Sequence, residues 1–203
     1  PKPQTPNPKP LCHFYIAGQK SIMDSFKSSI IFNRESDFLS LVRSSENLAE
    51  LRDSEGNTLP NILAQYRSSR LLELLFIEAK LKGIQAGAWA SLANRRGRPP
   101  VFFAAAGDDA LTLRVLVSTG VSVDFRDEAG HSLVEIAAMM DCPTALEVLR
   151  GEGLVGEGVL EKAVAVGADA SVRMMLAQGK EGEEMKRALD AAVKGGHARA
   201  VFL

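Results

Sequence analysis

The sequence predicts an all-α solenoid, in which pairs of short antiparallel helices stack along one axis. A polar turn ending in glycine recurs at Gly56, Gly97 and Gly130, and each time it leads into a short apolar segment. A second amphipathic segment comes next and ends at a small residue, always 23 residues after the glycine. Self-similarity at a period of a few tens of residues is typical of repeat architectures, and the apolar spacing in both segments is helical. The three end residues are Ala79, Gly120 and Gly153.

The composition places the chain among ordinary globular proteins. With 46% apolar and 24% charged residues in a chain of 203, it can bury a hydrophobic core. The formal net charge of −1 gives no overall attraction to nucleic acid, so we expect no nucleic-acid partner. Cys12 and Cys142 lie far apart without metal-ligand spacing, which predicts no metal site, no cofactor and a reducing, cytoplasmic location. No apolar run is long enough to predict membrane insertion.

The first fifty residues differ in pattern from the rest of the chain. Residues 1–10 are typical of a Pro-rich linker, and residues 11–52 indicate a degenerate repeat or a helical N-terminal cap. Apolar residues between Ile22 and Ile31 recur on one face of a predicted helix, and a second short helix comes after it with Asp37 as its expected cap. A repeat cannot bury both of its faces alone, so a solenoid needs an end unit with one polar face.

The intervals between successive turn positions divide the remainder into units. They are 41, 33, 26 and 29 residues long. The surplus in the first interval surrounds Trp89 and is expected to lengthen either the second helix or the projecting loop. The short later intervals predict tight turns in place of most of a β-hairpin. The predicted units are residues 53–93, 94–126, 127–155, 156–184 and 185–203, the last of them truncated.

Three stretches carry the pattern most clearly: "DSEGNTLPNILAQY", "NRRGRPPVFFAAAG" and "DEAGHSLVEIAAMM". They resemble the ankyrin repeat, whose consensus has a D-x-x-G turn, then T-P-L-H-x-A-A in the first helix, at a period of about 33 residues. The resemblance extends from about Asp53 to Leu203. The family's histidine is replaced in all five units, so the inter-repeat hydrogen bonds that it makes are in doubt here. Its position holds Asn61, Phe102, Glu135, Glu161 and Asp190.

Residues 126–142, "RDEAGHSLVEIAAMMDC", bring a histidine, carboxylates and a cysteine close together in sequence. A small hydrolase would need His131, Glu135 and Cys142 to meet in a pocket. In the repeat register, Ser132 and Glu135 instead form the S-x-x-E pattern of a capping box, which satisfies two helix-terminal N–H groups. Pro143, after the cysteine, suits the first turn of a second helix. We therefore predict an architectural role, no catalytic residue and no enzyme activity.

The resemblance implies a protein–protein interaction module, an adaptor or scaffold that binds a partner protein through its concave face and turn tips. Arg95, Arg96 and Arg98 concentrate three guanidinium groups that can bind carboxylates or phosphates. Methionine and aromatic side chains would add apolar contacts. A small-molecule ligand is not expected. The predicted partner-binding residues are Asn57, Gln65, Tyr66, Trp89, Arg95, Arg96, Arg98, Glu128, His131, Met139 and Met140.

The incomplete last unit suggests an alternative function. The repeats would then be the targeting or recruitment domain of a larger enzyme, or of a secreted microbial effector, whose active domain lies outside this chain. For an effector, the location would be the host cytosol.

Overall fold

The computed structural model describes residues 22–154, 158–177 and 183–195. Within these ranges the chain forms α-helices and one 3₁₀ turn but no β-strand, which confirms the predicted all-α solenoid. The pairing of extended backbone in these ranges is limited to one isolated antiparallel bridge, between Arg126 and Ser132. The predicted Pro-rich linker and Cys12 lie outside the described residues. None of the helices in these ranges combines the length and the hydropathy that a membrane-spanning segment requires.

The helices form two stacked rows. Their bounds are α1 (22–31), α2 (Glu35–Ser44), the 3₁₀ turn (Leu48–Glu50), α3 (Leu59–Gln65), α4 (Ser69–Leu81), α5 (Ala86–Ala90), α6 (Pro100–Ala106), α7 (Ala110–Ser118), α8 (Leu133–Met139), α9 (Pro143–Gly151), α10 (Val159–Val166), α11 (Asp169–Leu176) and α12 (Glu183–Gly195). One row consists of α3, α6, α8, α10 and α12, which contact each other in that order. The other row consists of α2, α4, α7, α9 and α11.

Three hairpin turns precede α3, α6 and α8 and share one set of hydrogen bonds. We call them turn 1 (53–57), turn 2 (94–98) and turn 3 (127–131). In each, Oδ1 of the first residue accepts from the backbone N–H groups of the third and fifth residues, at 2.8 to 3.1 Å. The fourth residue is glycine at a φ of 69° to 83°, which disfavours a Cβ. An Asp or Asn at the start and a glycine three residues later therefore specify the turn.

A second recurring feature lies eleven residues after each turn glycine, where the first helix of a pair ends. Arg67, Asp108 and Asp141 occupy this position with left-handed φ values of 55°, 53° and 56°. The two aspartates cap the second helix of the next pair. Asp108 Oδ1 accepts from the N–H groups of Thr144 and Ala145 at 2.9 Å, and Asp141 Oδ1 accepts from a backbone N–H at the start of α11 at 2.7 Å. Neighbouring pairs are thus joined by helix caps.

The surplus before turn 2 is divided between a helix and a loop. Helix α4 has 13 residues where α7 and α9 have nine, and the remaining residues form the short helix α5. Trp89 on α5 is only 3% exposed, so its expected place on the binding surface is wrong. The cause is close packing of α5 on the solenoid, since a Cβ at Gly87 would lie 2.7 Å from the carbonyl oxygen of Thr119.

At the N-terminal end, α1 and α2 pack as a helical pair. Phe26 and Phe38 are fully buried, with ring centroids 5.7 Å apart in an edge-to-face arrangement. Asp37 is not the cap of α2, because the helix begins at Glu35 and places Asp37 inside its first turn. There it lies 3.3 Å from the guanidinium of Arg34.

Two replacements of the family's histidine make contacts between helix pairs. Asn61 donates through Nδ2 to the carbonyl of Arg98 at 3.1 Å. The first unit therefore keeps an inter-repeat hydrogen bond at this position without the histidine. Glu135 lies 2.7 Å from Nζ of Lys162 on α10. Its other oxygen accepts from the N–H of Ser132, which confirms the predicted capping box. At the position of the family's histidine, Asn61 and Glu135 thus each make a different contact with the next helix pair.

Candidate partner-binding groove

Turns 1 and 2 are fastened to each other by polar contacts. Arg95 donates its backbone N–H to the carbonyl of Glu55 at 3.1 Å, and its guanidinium donates to the carbonyl of Ser54 at 2.7 Å. Asn94 donates to Oδ1 of Asn57 at 2.8 Å, and Asn57 is 3% exposed. The expected exposure of Asn57 is therefore wrong, because its side chain joins the two turns. Arg95 is exposed, but part of its guanidinium is engaged within the fold.

Turns 2 and 3 leave a groove of about 670 Å³ between them. No hydrogen bond or ion pair joins these two turns among the described residues, in contrast to turns 1 and 2. Six of the predicted partner-binding residues line this groove. They are Arg95, Arg96, Arg98, Glu128, Met139 and Met140.

The floor of the groove is aromatic and aliphatic. Phe102 and Phe125 lie with ring centroids 5.8 Å apart, inclined at 70°. Ile136 and the two methionines continue the apolar surface, and Met140 is 54% exposed. Sequence reasoning did not assign Phe102 or Phe125 to the binding surface. A large apolar residue at the family's histidine position was the available signal for Phe102, whereas Phe125 has no motif of its own.

The rim of the groove is rich in guanidinium groups. Arg98 lies with Cζ 4.8 Å from the ring centroid of Phe102 and has no carboxylate within ion-pair distance in the described part of the chain. Arg96 is exposed, with Nη2 3.9 Å from a carboxylate oxygen of Glu55. Arg126 was not predicted; it donates to the carbonyl of Gly130 at 2.9 Å. Exposed ion pairs at such distances are weak, so these cations remain available to a ligand.

Turn 3 contributes the acidic side chains of the groove. Asp127 Oδ1 accepts from the N–H groups of Ala129 and His131, and Oδ2 lies 3.1 Å from Nδ1 of His131. Desolvation raises the pKa of Asp127, but these contacts with His131 outweigh it and hold the pKa below its usual value. The Asp127 carboxylate therefore makes its contacts within turn 3. Glu128 is exposed at the tip.

The remaining predicted residues lie outside the groove. Gln65 ends α3 and is exposed, and Tyr66, next to it, is 46% exposed. His131 is half-buried in turn 3. None of the three lines the groove between turns 2 and 3.

The residues considered for a hydrolase are engaged in structural contacts. Burial, with a smaller effect of the nearby charge of Asp108, raises the pKa of the Cys142 thiol to about 11, which leaves almost no thiolate near neutral pH. Glu135 carries the capping box and the contact with Lys162. Within the described residues, no group of three or more His, Cys, Asp or Glu side chains could hold a metal ion. The geometry gives these residues no activated nucleophile.

Comparison with known proteins identifies the architecture. No family model matches the sequence, and no curated protein matches it. Among solved structures, the human ASB11 ankyrin repeat domain matches with a TM-score of 0.67 at 14% identity, over 87% of this chain and 80% of that one. The ankyrin repeat domain of Bcl-3, of the IκB protein family, matches with a TM-score of 0.65 at 14% identity, over 88% and 85%. The chain therefore has the fold of an ankyrin repeat domain.

Proposed function

We propose that this chain is a protein–protein interaction module that holds its partner in the groove between turns 2 and 3. One observation carries the proposal: the groove combines an apolar floor with guanidinium groups that the fold leaves available. Aromatic, methionine and arginine side chains are enriched where protein interfaces concentrate their binding energy. The polar groups of turns 1 and 2, by contrast, are hydrogen-bonded to each other.

The floor and the rim would have different roles. Phe102, Met139 and Met140 would lose water on binding, which contributes most of the affinity in a typical interface. Arg96 and Arg98 would select partners of complementary charge and speed the encounter, an effect that weakens as salt increases. Engineered changes to the floor should therefore act mainly on the dissociation rate, and changes to the rim on the association rate.

A quantitative pull-down with a double variant tests the proposal. Arg96→Ala combined with Met140→Ala removes one rim cation and one exposed floor side chain. The matched control, Arg114→Ala with Leu111→Ala, removes the same kinds of group from α7, outside the groove. Proteins that the intact chain and the control retain, and that the groove variant loses, would support the proposal. Equal retention by all three forms would refute this placement of the site.

Three finer points remain predictions from the sequence: the recruitment role in a larger enzyme or secreted effector, the cytoplasmic location and the absence of a nucleic-acid partner.

A further inference from the structure

We infer that the groove selects an extended partner segment in which an acidic residue and a large apolar residue are two positions apart. This inference rests on the proposed function and adds the chemistry of the partner. Its basis is the unequal charge of the two walls and the position of Arg98 above the aromatic floor.

The lining of the groove carries an excess of positive charge. Arg95, Arg96 and Arg98 line one wall and Arg126 the other, while the acidic groups of the lining are Asp127 and Glu128. The Asp127 carboxylate already accepts hydrogen bonds from two backbone N–H groups of turn 3 and lies 3.1 Å from Nδ1 of His131. The lining therefore holds four guanidinium groups against two carboxylates, and Arg98 has no acidic partner among the described residues. A ligand with net negative charge therefore gains more than a neutral or basic one.

The guanidinium of Arg98 lies close to the apolar floor of the groove. The guanidinium carbon of Arg98 lies 4.8 Å from the ring centroid of Phe102, whose centroid is 5.8 Å from that of Phe125. In an extended chain, side chains two positions apart lie on one face, about 7 Å from each other. A carboxylate on Arg98 would thus place an apolar side chain two positions away over Phe102 and Phe125.

The distribution of charge in the groove favours a peptide over a nucleic acid. Guanidinium groups also bind phosphates, but single-stranded nucleic acid usually needs a basic strip with aromatic side chains along it. Here the cations are confined to two turns and the whole chain has a net charge of −1. An acidic, partly apolar peptide segment fits both the rim and the floor.

A peptide selection on the intact protein tests the inference. Random dodecapeptides displayed on phage are selected against the intact chain, and again against Arg98→Glu and the milder Arg98→Gln. The best peptide is then labelled and titrated by fluorescence anisotropy at two salt concentrations. Arg114→Gln, an exposed arginine outside the groove, is the matched control for loss of one charge. Thermal melting of each variant shows that it is folded.

The expected result is enrichment of peptides with Asp or Glu two positions away from a large apolar residue. Arg98→Gln should weaken the selected peptide by about tenfold, a typical effect of losing a charge-assisted hydrogen bond, and Arg98→Glu should weaken it further. Arg114→Gln should change the affinity by less than about twofold.

Three outcomes would overturn the inference. They are enrichment without a preference for acidic residues, selected peptides that bind Arg98→Glu as well as the intact chain, or no enriched peptide at all. Tighter binding of a labelled single-stranded oligonucleotide than of the peptide at about 0.15 M salt would likewise overturn it. Because the pull-down does not depend on acidic partners, the proposed function would survive each of these results if the groove variant still lost its proteins.

Discussion

Replacing Asp108 with alanine is expected to weaken the junction between neighbouring helix pairs. Asp108 Oδ1 accepts hydrogen bonds at 2.9 Å from two backbone N–H groups at the start of α9 and from the Thr144 hydroxyl. Loss of a cap of this kind costs about 1 kcal/mol. Asp108 also has a φ of 53°, where alanine lacks the local hydrogen bonding that helps aspartate, at about 1 kcal/mol more. We therefore expect the free energy of unfolding to fall by about 2 kcal/mol.

Two further variants separate these contributions. Asp108→Asn keeps an acceptor and tolerates the left-handed conformation, so it should lose about 0.5 kcal/mol, mainly from the helix dipole. Asp108→Gly relieves the backbone but removes the cap, which should cost about 1 kcal/mol. Urea unfolding monitored by circular dichroism gives the order, with native most stable, then Asn, Gly and Ala. A glycine variant as stable as the asparagine variant would refute the role of the carboxylate as a cap.

Three other predictions concern single sites. Burial alone would raise the pKa of Glu135, but its hydrogen bonds with Lys162 and Ser132 outweigh that effect and hold the pKa below its usual value. Lys162→Met should therefore lower the free energy of unfolding by about 1 kcal/mol at neutral pH. This loss should disappear as Glu135 protonates below about pH 4.5, and an undiminished loss at about pH 3 would contradict the assignment. Gly87→Ala should lower the free energy of unfolding by about 1 to 3 kcal/mol, because the new Cβ would meet a backbone carbonyl. The fluorescence of Trp89, the single tryptophan, should then shift to the red. Unchanged emission and stability would show that α5 is loosely packed. With the other cysteine replaced by serine, Cys142 should react with a thiol reagent far more slowly in the folded protein than in urea, and equal rates would contradict its burial and raised pKa.

The features that the sequence predicted correctly depend on local interactions. Each turn is specified by an Asp or Asn side chain that bonds to backbone groups two and four residues further on, and by a glycine that permits positive φ. The capping box of Ser132 and Glu135 is equally local. These motifs gave the helix starts, and their recurrence gave the all-α solenoid.

The features that the sequence did not predict depend on contacts between units. Asn57 was expected on the surface because a turn tip is usually exposed, yet it bonds to Asn94 of the next turn. Trp89 is buried because the insert folds back onto the solenoid. Phe125 and Arg126 line the groove only because stacking places turn 3 opposite turn 2. No local pattern carries this information, since each case depends on how one unit sits on another.

Site-specific photocrosslinking tests the central claim about the groove most directly. A photoreactive phenylalanine analogue would replace Met140, which lines the groove, and in a separate variant Leu111, which is 66% exposed on α7. The proposal predicts that a protein recovered in the pull-down is crosslinked from position 140 and not from position 111. Crosslinking from position 111 alone would place the partner on the second helices and contradict the account.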